Sequence, residues 1–152
     1  MHELTADASA AFLERFNQFG DALVVRMDHA FCGDDGGGEG KVTLWIQCVE
    51  LLGAQAGFPE PVQVGGLDFT DIGQSRQRVR VRLELMDVLR FKLVDLGWGQ
   101  NVLSFGARCF WIDNQIALEL GGVIEPASSV AELDESDFFI LAKRAAWTLE
   151  AP

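Results

Sequence analysis

Along Arg76-Gln77-Arg78-Val79-Arg80-Val81-Arg82-Leu83-Glu84-Leu85-Met86-Asp87-Val88-Leu89-Arg90-Phe91-Lys92-Leu93 the side chains alternate between charge and hydrocarbon. Val79, Val81, Leu83, Leu85, Leu89, Phe91 and Leu93 have odd numbers; Arg76, Arg78, Arg80, Arg82, Arg90 and Lys92 have even ones. A period of two is that of a β-strand, whose successive side chains point to opposite faces. Residues 76–94 therefore read as strand with one apolar and one basic face. Asp87 falls on the apolar parity, which predicts a turn or bend at Met86–Val88 between two short strands.

On the N-terminal side, Lys41–Leu52 reads as a strand with Val42, Leu44, Ile46 and Cys48 on one face and Thr43, Trp45 and Gln47 on the other. Asp21–Cys32 is a second strand, with Leu23, Val25, Met27 and Phe31 on one parity and His29 between them. The two are joined by Gly33-Asp34-Asp35-Gly36-Gly37-Gly38-Glu39-Gly40, a hairpin with a long, solvated tip. Residues 5–19 predict a helix: Thr5 is the N-cap, Asp7 lies in the first turn, and Phe12, Phe16 and Phe19 share one face, with Gly20 as the C′ stop. His2 falls in a frayed terminus. Residues 53–75, with Pro59, Pro61, Gly65 and Gly66, form a long connector that holds at most a short strand at Val62–Leu67.

On the C-terminal side, Asn101–Asp113 and Gln115–Leu120 read as a hairpin turning at Asp113-Asn114. An acidic, turn-rich stretch follows, with a short helix from Ser129. Phe138–Leu149 fits either a strand or a helix, because short apolar runs do not decide that question. Six to eight strands and one helix give an α+β, mainly β fold: a curled antiparallel sheet, half-barrel or sandwich, with the N-terminal helix packed on it. The length of 152 residues predicts a single domain over 1–152, with a helical segment at 1–20 and an antiparallel β domain at 21–150.

The chain has 12 basic and 23 acidic residues, a net charge of −11. That charge argues against nucleic acid and anionic membrane as partners, since both are polyanions. No apolar run reaches the roughly 18 residues of a membrane span, and the opening MHELTADASA lacks the basic and apolar regions of a signal peptide. Cys32, Cys48 and Cys109 are too few and too far apart for a disulfide framework or a zinc motif; they read as free thiols in a reducing cytoplasm. His29 with Asp28 and Cys32 could ligate a metal or form a nucleophile pair only if side chains of alternating strand faces converged. No HExxH, GxSxG or SxxK motif is present. The expectation is a non-enzymatic protein with no cofactor and no metal.

Two groups stand out as partner- or ligand-binding candidates. The Gly-rich tip carries Asp34, Asp35 and Glu39, which would repel phosphate. Arg76, Arg78, Arg80 and Arg82 form a ladder on one strand face; residues 76–95 hold half of all the basic residues in an acidic chain. The ladder reads either as a solvated face paired with neighbouring acids, or as a recognition face for a carboxylate, a phosphate or an acidic patch. The acidic remainder would steer a basic protein toward the surface.

Three stretches together resemble the small immunity proteins of bacterial polymorphic toxin systems: Phe19-Gly20-Asp21-Ala22-Leu23-Val24-Val25-Arg26-Met27-Asp28, running straight into a strand; Val81-Arg82-Leu83-Glu84-Leu85-Met86-Asp87-Val88-Leu89-Arg90-Phe91, a strand, a turn and a second strand; and Asn101-Val102-Leu103 through Leu118-Glu119-Leu120-Gly121-Gly122, followed by Phe138–Leu149. The resemblance spans residues 16–149 and departs at Gly20, where the pattern has His, and at Asp87, where it has a small residue. It implies a strand at Phe138–Leu149 and a cytoplasmic protein-binding domain that neutralises a cognate, basic toxin. It carries over no active-site residue. The alternative is a β module that binds a small anion along the Arg ladder. Four Trp and eleven Phe also leave room for a homodimer through an edge strand or aromatic patch.

Overall fold

The computed structural model describes residues 1–30, 40–52, 75–93, 102–103, 106–120 and 129–150. Thr5 caps the first helix, its hydroxyl accepting the Ala8 N–H at 3.3 Å, and α1 runs Ala6–Arg15. The helix stops four residues before the expected end. Asn17, Gln18 and Phe19 all take left-handed φ, from 51° to 56°, forming a tight turn at Asn17–Phe19. Gly20, with φ −57°, is not the left-handed residue; the three before it reverse the chain. Left-handed backbone costs about 1–2 kcal/mol per non-glycine residue, and complete burial of Phe16 and Phe19 offsets it at about 1.5–3 kcal/mol per side chain. The three rings still meet as the spacing predicts, with Phe12–Phe16 centroids 5.3 Å apart and Phe16–Phe19 5.6 Å.

The strands are β1 (His2–Leu4), β2 (Ala22–Ala30), β3 (Lys41–Leu52), β4 (Ser75–Leu93), β5 (Val102–Leu103), β6 (Ala107–Ile112), β7 (Gln115–Leu120) and β8 (Phe138–Glu150), with a short α2 (Val130–Leu133) before the last. They form one antiparallel sheet in the order β5-β2-β3-β4-β8-β7-β6, and β1 pairs with β8 alongside β7. Phe138–Glu150 is thus a strand, and a central one. His2 is not frayed: it sits in β1 opposite Trp147 and stacks on its indole, centroids 4.7 Å apart.

Among the described residues all strands lie in a single sheet, the arrangement of a half-barrel and not of a sandwich. α1 touches both β3 and β6, four places apart in the sheet order, so the sheet curls around the helix. The inner face carries Val42, Leu44 and Ile46 from β3 and Val81, Leu83 and Leu85 from β4, all essentially without solvent contact. The close approach of β6 to the turn after α1 depends on Gly106, which enters β6 with φ +82°; a Cβ there would lie 2.4 Å from the Gln18 carbonyl oxygen. Only glycine permits both the conformation and the approach.

Three expectations need correction. In β2 the buried residues are Ala22 and Val24, while Leu23 and Val25 are exposed; a bulge between Val24 and Arg26 shifts the parity, which simple alternation cannot register. β4 is not two short strands. It runs unbroken over Ser75–Leu93 and absorbs the irregularity at Asp87, with φ 55° and a register shift against β8 between Val88 and Arg90. Past that bend Leu89 and Phe91 are exposed instead of buried. Val102–Leu103 pairs with β2, so the C-terminal hairpin begins at Ala107. Its turn at Asp113-Asn114 is as expected, with φ 49° and 62°, the two left-handed residues that a tight hairpin requires. Ser129 caps α2. Residues 33–39 of the Gly-rich tip and residues 53–74 of the connector lie outside the described residues. Among the described residues no helix is long and apolar enough to cross a membrane.

Candidate functional site

Because β2, β3, β4 and β8 are consecutive in the sheet, their outward side chains form a grid set by register. One cross-strand row reads Arg26–Trp45–Arg82–Thr148, and the next reads Leu23–Gln47–Arg80–Glu150. Beyond these, Val49 faces Arg78 and Leu51 faces Arg76. On the other side, Asp28–Thr43–Glu84–Ala146 forms a third row.

Trp45 is the centre of the grid. Its ring is flanked by the guanidinium groups of Arg26, 4.6 Å from the centroid, and Arg82, 5.7 Å away. Cation–π contacts of this kind contribute about 0.5–1 kcal/mol at exposed sites. The indole Nε1 donates to Glu150 Oε1 at 3.0 Å, so the ring lies across β4 toward β8. Each flanking arginine is held by an acid two residues away. Arg26 grips Asp28 with Nε–Oδ1 at 3.0 Å and Nη2–Oδ2 at 2.5 Å, and that hydrogen bonding holds the Asp28 carboxyl below its ordinary value. Arg82 pairs with Glu84, which also takes Lys41 Nζ at 2.6 Å. Glu84 is buried, and a buried carboxylate needs such partners.

The four-arginine ladder therefore divides. Arg82 is committed to Glu84 and Trp45. Arg76 is exposed at the strand end. Arg78 and Arg80 make no hydrogen bond or ion pair with any side chain among the described residues, and Nε of Arg80 is buried without a partner. A cavity of about 110 Å³ opens between Gln47, Arg78, Val79 and Arg80.

Asp34, Asp35 and Glu39 lie outside the described residues, as does Cys32. His29 is exposed on β2, its ring 6.2 Å from that of Phe91. Cys48 and Cys109 are free thiols; burial pushes both up to about 12, which leaves them protonated and unreactive. Among the described residues no three His, Cys, Asp or Glu side chains gather as a metal site would require.

Sequence reasoning identified the ladder but missed Trp45, Arg26 and Gln47 as its companions. Trp45 and Gln47 share the polar parity of β3, which was the available signal. Placing them beside particular arginines needs the β3–β4 register, and the long 53–74 connector leaves that undetermined by local turn chemistry. No protein-family model, curated protein or solved structure matches the chain.

Proposed function

We propose that this protein is a cytoplasmic, non-enzymatic binding domain of the immunity type, which neutralises a cognate basic toxin by covering its active surface. The observation that carries this reading is Trp45, stacked between Arg26 and Arg82 on the outward face of a four-strand platform. Trp and Arg are the residue types on which binding energy concentrates. Here they are held in place before any partner arrives, by Asp28, Glu84 and Glu150, so less side-chain entropy is lost on association. Arg26 and Arg82 carry their own counter-charges in Asp28 and Glu84, so the platform itself does not repel a basic partner, and the net charge of −11 attracts such a partner at long range and repels polyanions. Two free thiols, Cys48 and Cys109, suit a reducing compartment.

The test is co-purification of the tagged protein from its host at low salt, repeated with Trp45→Ala. A single basic protein recovered in near-equal amount, released by salt, and weakened by roughly 2 kcal/mol or more in the variant supports the reading. Its toxicity when expressed alone, and relief of that toxicity by co-expression, completes the support. Equal recovery by Trp45→Ala would remove the platform from the interface, and no toxicity of the captured protein would remove the immunity role.

A further inference from the structure

The division of the arginine ladder leaves an anomaly. Acids outnumber bases by 23 to 12 in this chain, so every arginine has acids to pair with. Arg26, Arg82, Arg90 and Arg144 all do so. Among the described residues Arg78 and Arg80 have no such partner, although they project from the same face of the same strand, two residues and so about 6.6 Å apart.

Among the described residues the nearby carboxylates are directed elsewhere. Glu150 is opposite Arg80 in register, yet its carboxylate accepts from Trp45 Nε1 and lies near enough to Arg26 to stabilise that cation. Glu84 is taken by Lys41 and Arg82. Glu50, opposite Gln77 in register, faces the other side of the sheet and is taken by Arg15. The group facing Arg80 from β3 is instead the neutral Gln47, whose amide can donate as well as accept. Gln47, Arg78 and Arg80 together border the cavity of about 110 Å³. Three donor-bearing side chains around such a space, with the local acids turned away, match what one oxyanion requires.

We propose that Gln47, Arg78 and Arg80 form a binding site for a single oxyanion, a carboxylate or a phosphate. The guanidinium groups of Arg78 and Arg80 and the Gln47 amide, which border the cavity, supply the donors that surround the anion. The cavity of about 110 Å³ has room for one carboxylate or phosphate group. The site stands independently of the toxin partner, because it rests on the pairing pattern and not on the Trp45 platform.

The experiment is a titration of the 15N-labelled protein with inorganic phosphate and, separately, with acetate, at constant ionic strength, reading the arginine Nε–H resonances. Saturable shifts of the Arg80 and Arg78 resonances are expected. Arg80→Gln and Arg78→Gln should each weaken binding by roughly tenfold or more, the loss of one charge-assisted hydrogen bond, while Arg90→Gln on the same strand leaves it unchanged. Saturable binding of either anion supports the site. Linear, non-saturating shifts with both anions, or binding that Arg78→Gln and Arg80→Gln leave intact, would overturn it.

Discussion

Arg15 at the end of α1 reaches Glu50 on β3, donating from Nε to Oε1 at 2.7 Å, while its guanidinium also lies 5.1 Å from the Trp147 ring. The contact ties the helix to the sheet it fills. It is asymmetric: the Glu50 side chain is 7% exposed and that of Arg15 is 42% exposed. Removing the arginine strands a buried carboxylate, whereas removing the carboxylate lets the arginine turn to water. Arg15→Ala is therefore expected to cost about 2–3 kcal/mol, below the full cost of a wholly buried pair because Arg15 is partly solvated. Glu50→Gln should cost about 1 kcal/mol. Urea unfolding of both variants checks the order; a larger loss for Glu50→Gln would contradict it.

Gly106 is the point where the curl of the sheet meets the turn after α1. A methyl group there would collide with the Gln18 carbonyl oxygen at 2.4 Å, and φ +82° is strained for any L side chain. The obstacle is backbone, which cannot rotate aside. Gly106→Ala is expected to destabilise by about 2–4 kcal/mol, combining the conformational cost with the displacement of packed chain. Gly20→Ala serves as the comparison, because its Cβ would meet nothing nearer than 3.3 Å and its φ is ordinary. Thermal unfolding of the two variants should differ by several degrees; equal melting temperatures would show that the contact is not needed.

Asp87 bends β4 from a left-handed conformation, φ 55°, and accepts Nε of Arg144 at 2.9 Å. Asp and Asn tolerate this region, while a β-branched side chain does not. Asp87→Asn should stay within about 1 kcal/mol of the parent, losing only an exposed ion pair. Asp87→Val should lose about 1–3 kcal/mol. If the two variants unfold at the same denaturant concentration, the bend is not held by residue 87.

How far these features were legible differs by element. The β4 alternation, the β3 inner face and the Asp113-Asn114 turn follow from periodicity and turn chemistry, which are local. The ends of α1 and β2 do not. Three consecutive left-handed residues at Asn17–Phe19 and the bulge at Val25 are imposed by packing Phe19 and reversing into the sheet, and no propensity signals them. At the site, the Arg ladder was readable as a pattern. That Arg82 is spent on Glu84 while Arg78 and Arg80 are not depends on register, and register is a long-range property.

The two described thiols supply a prediction in pH. Burial raises Cys48 to about 12, with the nearby Glu50 charge adding to the effect, and burial alone raises Cys109 to about 12. In the unfolded chain a thiol ionises near 8.5. Between those values the folded protein keeps protons that the unfolded chain releases, so stability falls as pH rises from about 8.5 to 12, by at most about 1.4 kcal/mol per pH unit for each thiol. Below pH 8 both states are protonated and the contribution is constant. The stability difference between the parent and a Cys48→Ala/Cys109→Ala double variant should accordingly be flat from pH 6 to 8 and move against the parent above pH 9. Iodoacetamide at pH 8, read peptide by peptide, should leave Cys48 and Cys109 unmodified in the native protein and alkylate both in urea. Rapid native labelling of Cys48 would mean that the β3 inner face opens far more often than its packing under α1 allows.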